Sequence, residues 1–99
     1  RLLPAVRNCY EDERRANRIR RAQACLQAWQ TLQPREAGLA DARRRLAEKW
    51  IAVGSERLGA GDVAFAAQAL EEARRLDAAV PGMDDFQARV RLAQAPQTR

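Results

Sequence analysis

The stretch from Trp50 to Leu76 most constrains the fold, because its sequence predicts two helices joined by a glycine turn. Apolar residues on each side of the turn recur three or four positions apart, the spacing of one face of an α-helix. Gly59-Ala60-Gly61 interrupts that spacing, and Asp62 is suited to cap the helix that follows. Small residues lie on both apolar faces, at Gly54, Ala66 and Ala73. The stretch therefore predicts a closely packed antiparallel helical hairpin.

The pattern of this hairpin occurs a second time in the chain, at an offset of 44 residues. The aligned pairs are Ile19 with Val63, Ala22 with Ala66, Leu26 with Leu70, Leu32 with Leu76, Gly38 with Gly82, Leu39 with Met83, and Leu46 with Val90. A match at a fixed offset is typical of stacked helical units, each of which buries its apolar face on the next. We therefore expect an all-α fold of about five helices, built as an α-solenoid of stacked antiparallel hairpins.

Helical periodicity and breaker residues set the predicted boundaries. The five predicted helices run to about Ala16, from the turn at Asn17 to Gln33-Pro34, from Leu39 to about Leu58, from Asp62 to Leu76, and from Met83 to about Ala95. The fifth predicted helix is formed by Met83, Phe86, Val90 and Leu92 or Ala93, and it is expected to cap or continue the stack. Residues 1–95 form a single predicted domain, with units at about 3–46 and 47–92. Residues 96–99 are expected to form a mobile tail.

The residue pattern resembles the tetratricopeptide repeat, whose signature runs W-x2-L-G-x2-Y, then A-x3-F, then a small residue and a proline. The second unit matches this signature at Trp50, Val53, Gly54, Ala66, Leu70 and Ala73, with Arg57 in place of Tyr and Ala78 in place of Pro. The first unit matches at Val6, Cys9, Ala22, Leu26 and Pro34, with Glu13 in place of Tyr and with bulky Tyr10 and Trp29 where small residues are usual. The offset of 44 residues is longer than the standard repeat of 34.

The resemblance implies a non-catalytic protein–protein interaction module, in which the first helix of each hairpin lines a groove for a peptide or partner segment. The partner-binding positions that it implies are Arg7, Glu11 and Arg14 in the first unit, and Glu48, Ser55 and Arg57 in the second. We expect such a module to be part of a larger bacterial protein. An alternative is a structural spacer or oligomerisation segment, in which the helices connect or dimerise other domains and an end of the stack exposes an apolar patch.

Arginine dominates the positive charge, because 17 of the 18 basic residues are arginine and the net charge is +5. A basic patch is predicted at the tip of the first hairpin, at Arg14, Arg15, Arg18, Arg20 and Arg21. Such a patch is suited to nucleic acid or anionic lipid. No aromatic residues interleave with it for base stacking, and an acidic run, Glu11–Glu13, lies one turn away. Binding of nucleic acid or lipid is therefore the lowest-ranked alternative.

The chain contains no histidine, which removes the commonest general base and the usual zinc and haem ligands. Adjacent carboxylates such as Glu71-Glu72 point about 100° apart on a helix, so they do not form a converging acid–base pair. We therefore expect no catalysis, no cofactor and no metal. No apolar run is long enough to span a bilayer.

Cys9 and Cys25 lie on the two arms of the first predicted hairpin, eight residues on either side of Asn17. Antiparallel packing brings such positions opposite each other, so a disulfide is geometrically feasible. It would favour an exported protein, for example a periplasmic one. The alternative is that both are small core residues, because their counterparts at the 44-residue offset are Val53 and Ala69. The disulfide is slightly favoured; without it a cytoplasmic location would be expected.

Overall fold

The computed structural model describes residues 2–96, and side chains from residue 5 onward. This range is all-helical: α1 (Leu2–Arg15), α2 (Ile19–Leu32), α3 (Leu39–Gly59), α4 (Val63–Leu76) and α5 (Met83–Gln94). The prediction of an all-α fold with five helices is confirmed for the described residues. The chain divides into two compact units, Arg1–Leu46 and Ala47–Arg99, called here the first and second unit; α3 begins in the first and ends in the second. The expected tail beyond residue 96 lies outside the described residues.

The two units begin and end their helices at equivalent positions. α2 starts at Ile19 and α4 starts at Val63, 44 residues later, and both helices have 14 residues. The turns before them also correspond, since Asn17 has φ 59° and Gly61 has φ 90°. Asparagine and glycine are the residues that adopt this left-handed conformation most readily. The backbone therefore makes the same turn at both places.

Hydrogen bonds around these turns recur in the same way. Arg18 N donates to Glu13 O at 2.9 Å, and at the equivalent place Asp62 N donates to Arg57 O at 2.9 Å. The side chains of the same two pairs form ion pairs of opposite polarity, Arg18 with Glu13 at 2.6 Å and Arg57 with Asp62 at 3.7 Å. Asp62 also accepts a hydrogen bond from Phe65 N at 3.0 Å, which confirms it as the N-cap of α4.

The core of the first unit combines large aromatic and aliphatic side chains. Its buried residues are Tyr10, Ala22, Cys25, Leu26, Trp29, Leu39, Ala42 and Leu46. The Tyr10 and Trp29 rings pack with their centroids 6.0 Å apart and their planes tilted by 52°. These two residues are the ones that depart from the small-residue pattern of the repeat, and both are core residues.

The core of the second unit contains more small residues. Its buried residues are Ala47, Trp50, Gly54, Ala66, Ala69, Leu70, Ala73, Val80, Met83, Phe86 and Val90. A Cβ atom added at Gly54 would lie 2.5 Å from Phe86 Cζ and 2.8 Å from Ala69 Cβ. The backbone of α3 therefore approaches α4 and α5 as closely as a missing side chain permits, which confirms the close packing predicted from Gly54, Ala66 and Ala73.

Two apolar residues of the predicted fifth helix lie in α5 but outside the core. Leu92 is 78% exposed and Ala93 is also exposed. The buried face of α5 is carried by Met83, Phe86 and Val90, which follow one another at three- and four-residue spacing. Leu92 follows Val90 by two residues and therefore lies on a different side of the helix.

Candidate functional site: a cleft in the first unit

A cleft of about 390 Å³ opens on the first unit. Its walls are formed by α1, by the end of α2, by the loop that follows and by the first turns of α3. The lining residues are Arg7, Tyr10, Glu11, Trp29, Glu36, Gly38, Asp41, Ala42 and Arg45. The volume is within the range of pockets that hold small ligands or single side chains.

The floor of the cleft is aromatic and fixed in place. Tyr10 and Trp29 are only 1% and 3% exposed. The Tyr10 hydroxyl donates a hydrogen bond of 3.1 Å to the backbone oxygen of Ala42, which ties α1 to α3. Burial raises the pKa of the Tyr10 phenol. The hydroxyl therefore stays protonated over the physiological pH range and remains a donor.

One side of the rim is built around Arg7. Its guanidinium forms an ion pair with Glu36 and lies over the Trp29 ring, 5.5 Å from the ring centroid. A guanidinium at this distance from an indole face makes a favourable cation–π contact. Arg7 is thus held by two contacts while its side chain remains 47% exposed.

The opposite side of the rim is built around Asp41, at the start of α3. Arg44 donates a hydrogen bond to Asp41, and Arg45 Nε lies 2.8 Å from the same carboxylate. The Arg44 hydrogen bond, together with the charges of Arg45 and Arg44, lowers the pKa of Asp41. Asp41 is therefore ionised at neutral pH, and its charge is balanced by its neighbours.

The sequence-predicted partner residues fall into two groups. Arg7 and Glu11 line the cleft, and Arg14 adjoins it through an ion pair of 3.1 Å with Glu11. In the second unit Glu48 is exposed, but Ser55 and Arg57 are engaged within the protein. Their contacts are a 2.9 Å hydrogen bond from Arg89 to the Ser55 hydroxyl, an ion pair of Arg57 with Asp62, and the Arg57 guanidinium 4.9 Å from the Phe65 ring centroid.

The second unit packs the equivalent positions with the sizes exchanged. The counterpart of Ala42 at the 44-residue offset is Phe86, and its ring contacts the position of Gly54, the counterpart of Tyr10. The hydrogen bond between Ser55 and Arg89 joins α3 to α5 beside it. The first unit thus pairs a ring on α1 with a small residue on α3, and the second unit pairs a small residue on α3 with a ring on α5.

The sequence-based prediction of partner-binding residues missed the other residues of the cleft, namely Tyr10, Trp29, Glu36, Gly38, Asp41, Ala42 and Arg45. A signal for two of them was present in the 44-residue alignment. It sets Tyr10 opposite Gly54 and Ala42 opposite Phe86, so a large and a small residue exchange places between the units. Such an exchange at two positions that meet in space indicates a local difference in shape.

The predicted basic patch is partly neutralised. Ion pairs join Arg14 and Arg15 to Glu11, at 3.1 and 4.0 Å, and Arg18 to Glu13, at 2.6 Å. Arg20 and Arg21 are exposed. At least three of the five arginines therefore share their charge with the acidic run, which weakens the case for nucleic acid or lipid at this surface.

Cys9 and Cys25 lie at disulfide-bonding distance, with their Cα atoms 5.7 Å apart. This separation is within the usual range for a disulfide. Cys9 is exposed on α1 and Cys25 is buried on α2, so the pair links the helix that lines the cleft to the helix beneath it.

Among the described residues, no group of three or more histidine, cysteine, aspartate or glutamate side chains is placed to hold a metal ion. No helix in residues 2–96 combines the length and apolar character needed to cross a bilayer. Comparisons of the chain with protein-family models, with curated proteins and with solved structures found no match.

Proposed function

We propose that this chain is a non-catalytic protein–protein interaction module whose first unit holds a segment of a partner protein in the cleft. The observation that carries the proposal is that the exposed side of α1, with Arg7 and Glu11, forms a wall of a cleft with a fixed aromatic floor. Peptide-binding grooves combine such apolar floors with a few well-placed polar groups.

The resemblance to the tetratricopeptide repeat belongs to the same proposal. In that family the first helix of each hairpin lines the groove, and α1 is the first helix of the first hairpin. Within the second unit, Ser55 and Arg57 make internal contacts, so we assign the binding role to the first unit.

We further propose an exported, periplasmic location. The support is the pair Cys9 and Cys25 at bonding distance, because disulfides persist in oxidising compartments. A thiol assay on unreduced, denatured protein purified from the periplasm of an expression host tests the disulfide on which this proposal depends. No reactive thiol is expected, and two reactive thiols would contradict it.

The test of the binding proposal starts from a random-peptide display library, selected on the whole chain under non-reducing conditions. Recovered peptides are then measured by calorimetry against two variants. Asp41→Trp places an indole at the cleft, whereas Asp85→Trp makes the same change at the equivalent position of the second unit, where the carboxylate side chain is 77% exposed.

We expect Asp41→Trp to weaken binding about tenfold or more, which corresponds to about 1.4 kcal/mol, while Asp85→Trp leaves the affinity unchanged. Circular dichroism and thermal melting of both variants confirm that they are folded. An equal loss of peptide affinity in the two variants would refute the cleft as the binding site. Failure to select any peptide whose binding depends on Asp41 would also refute it.

A second candidate function, oligomerisation, is favoured by Leu92. Its side chain is 78% exposed on α5, one turn after the exposed residue Ala88 on the same side of the helix. If this face joins two copies of the chain, Leu92→Asp will convert a dimer to a monomer in light scattering. A wild-type protein that is monomeric at high concentration excludes this candidate.

A further inference from the structure

Helix α1 buries little of its surface in the first unit. Among its side chains at residues 5–15, which the structure describes, only Tyr10 is buried, whereas α2 has four buried residues. The Tyr10 hydroxyl is bonded to the backbone of Ala42, and Arg7 forms an ion pair with Glu36. Because the Arg7 side chain is 47% exposed, that ion pair contributes little to stability. An element with so few buried contacts opens at a low free energy.

A disulfide between Cys9 and Cys25 would join α1 covalently to α2. The two Cα atoms are 5.7 Å apart, and the two residues are 16 positions apart in the chain. At the equivalent positions the second unit has Val53 and Ala69, which cannot form such a bond. The counterpart of α1 there is the last part of α3, a helix of 21 residues that continues without a break from the first unit. The cross-link is therefore a feature of the first unit.

The two cysteines differ in their exposure to solvent. Cys9 is exposed on α1, whereas Cys25 is 9% exposed on α2. A disulfide is reduced when a thiolate reaches and attacks one of its sulfur atoms. An attacking thiolate therefore reaches this bond from the side of Cys9.

We propose that the disulfide is a redox switch, in which a dithiol such as a reduced Cys-x-x-Cys protein releases α1 and thereby opens the cleft wall. One thiolate of the dithiol attacks Sγ of Cys9, the bond between the two sulfur atoms breaks, and Cys25 leaves as a thiolate that takes up a proton. The second thiolate of the reductant then attacks the mixed disulfide and releases Cys9, which is also protonated. The dithiol departs as its own disulfide, so two electrons and two protons pass to the protein.

The effect on the cleft depends on which helix carries each lining residue. Arg7, Tyr10 and Glu11 belong to α1, whereas Asp41 and Arg45 belong to α3. Release of α1 removes the first three together and breaks the hydrogen bond that holds Tyr10 against α3. The control of binding by this switch rests on the proposed function, whereas the release of α1 does not.

Amide hydrogen exchange of the whole chain, followed by NMR with and without dithiothreitol, measures the release directly and requires no ligand. We expect the protection of α1 amides to fall about a hundredfold on reduction, because a cross-link of this loop length restrains opening of the helix. Residues 47–59 of α3, the counterpart of α1 without a cross-link, provide the internal control and should keep their protection.

The variant with Cys9→Ser and Cys25→Ser should exchange like the reduced wild type and should not respond to dithiothreitol. An equal loss of protection in α1 and in residues 47–59 would identify the bond as a general stabiliser and overturn the proposed switch. Unchanged protection of α1 in the reduced wild type would overturn it as well.

A second measurement separates failure of the switch from failure of the binding role. Peptides selected on the unreduced chain are labelled, and their affinities for the oxidised and reduced chains are compared by fluorescence anisotropy; we expect reduction to weaken binding at least tenfold. If α1 exchanges as expected but no selected peptide depends on Asp41, the release of α1 stands and the binding role is wrong. If peptides that depend on Asp41 bind both forms equally, the cleft binds peptides and the switch is wrong.

Discussion

The two units place helices and turns at equivalent positions but pack their cores in opposite ways. In the first unit a large residue on the first helix, Tyr10, meets a small one, Ala42, on the third. In the second unit a small residue on the first helix, Gly54, meets a large one, Phe86, on the third. The same backbone plan therefore accepts either arrangement, provided that one member of the pair is small.

This exchange of sizes involves two residues that line the cleft of the first unit. Tyr10 packs against the small Ala42, and its hydroxyl donates a hydrogen bond to the backbone oxygen of Ala42. In the second unit the ring of Phe86 packs against Gly54. The two units therefore differ in which helix contributes the ring of this pair.

The largest expected effect on stability comes from giving Tyr10 and Ala42 the side chains of their counterparts in the second unit, Gly54 and Phe86. Tyr10→Gly alone should cost about 4 kcal/mol of unfolding free energy, through the lost ring and the added glycine. Ala42→Phe alone should cost about 1–3 kcal/mol through overpacking. Made together, they should cost about 1–3 kcal/mol less than the sum, because the new ring occupies the space that the tyrosine leaves. Urea unfolding measures all three values, and additivity within about 0.5 kcal/mol would contradict the size exchange.

The cross-link between α1 and α2 is expected to have the next largest effect. Cys9 and Cys25 are 16 residues apart, and closing such a loop stabilises a folded chain by about 3 kcal/mol in the chain-entropy model. Replacing both with Ser should therefore lower the melting midpoint, and reductant should have the same effect on the wild type. The Cys-free variant serves as the control, since its midpoint should not respond to reductant. A wild-type midpoint that is unchanged by reduction would show that the cross-link is absent or without effect.

Gly54 and Gly59 offer a comparison within one helix. A Cβ at Gly54 would press on Phe86 and Ala69, so Gly54→Ala should cost about 1–3 kcal/mol of stability. Nothing lies within 4 Å of a Cβ at Gly59, so Gly59→Ala should be neutral or stabilise by up to about 1 kcal/mol through helix propensity. Equilibrium unfolding measures the change in unfolding free energy of each variant and shows whether the two changes differ in sign. A neutral Gly54→Ala would contradict the close approach of α3 to its neighbours.

The smallest effect concerns the helix starts. Asp62 caps α4 through its side chain, whereas Arg18, its counterpart before α2, makes no such bond. Asp62→Ala should cost about 1 kcal/mol. The pair Glu13→Arg and Arg18→Asp transfers the capped arrangement of the second unit to the first and should stabilise it by about 0.5–1 kcal/mol. Destabilisation by this pair would show that the two turns are not interchangeable.

Helix positions were predictable from the sequence because they depend on local rules. Apolar spacing predicted the five helices. Pro34 indicated the end of the second helix, and Gly61 indicated the turn before the fourth. Asp62 was predicted as the N-cap of that helix, and the structure has it there. Leu92 follows the buried Val90 by two residues, so helical spacing places it off the buried face of α5, where the structure has it.

The cleft was only partly predictable. Arg7 and Glu11 were identified as surface positions of a first helix, and both line it. Asp41 and Arg45 were not predicted as site residues, since one-dimensional spacing cannot show that the start of α3 faces α1. That placement depends on the contact between Tyr10 and Ala42, 32 positions apart in the chain.

The most direct measurement of the proposed role is the map of amide chemical-shift changes in the whole, unreduced chain when a library-selected peptide is added. We expect the changes to cluster at cleft residues such as Arg7, Glu11, Gly38, Asp41 and Arg45. Their counterparts at the 44-residue offset, Ile51, Ser55, Gly82, Asp85 and Arg89, provide an internal control and should be unaffected. Changes centred on this second set, or spread equally over both, would contradict the assignment of binding to the first unit.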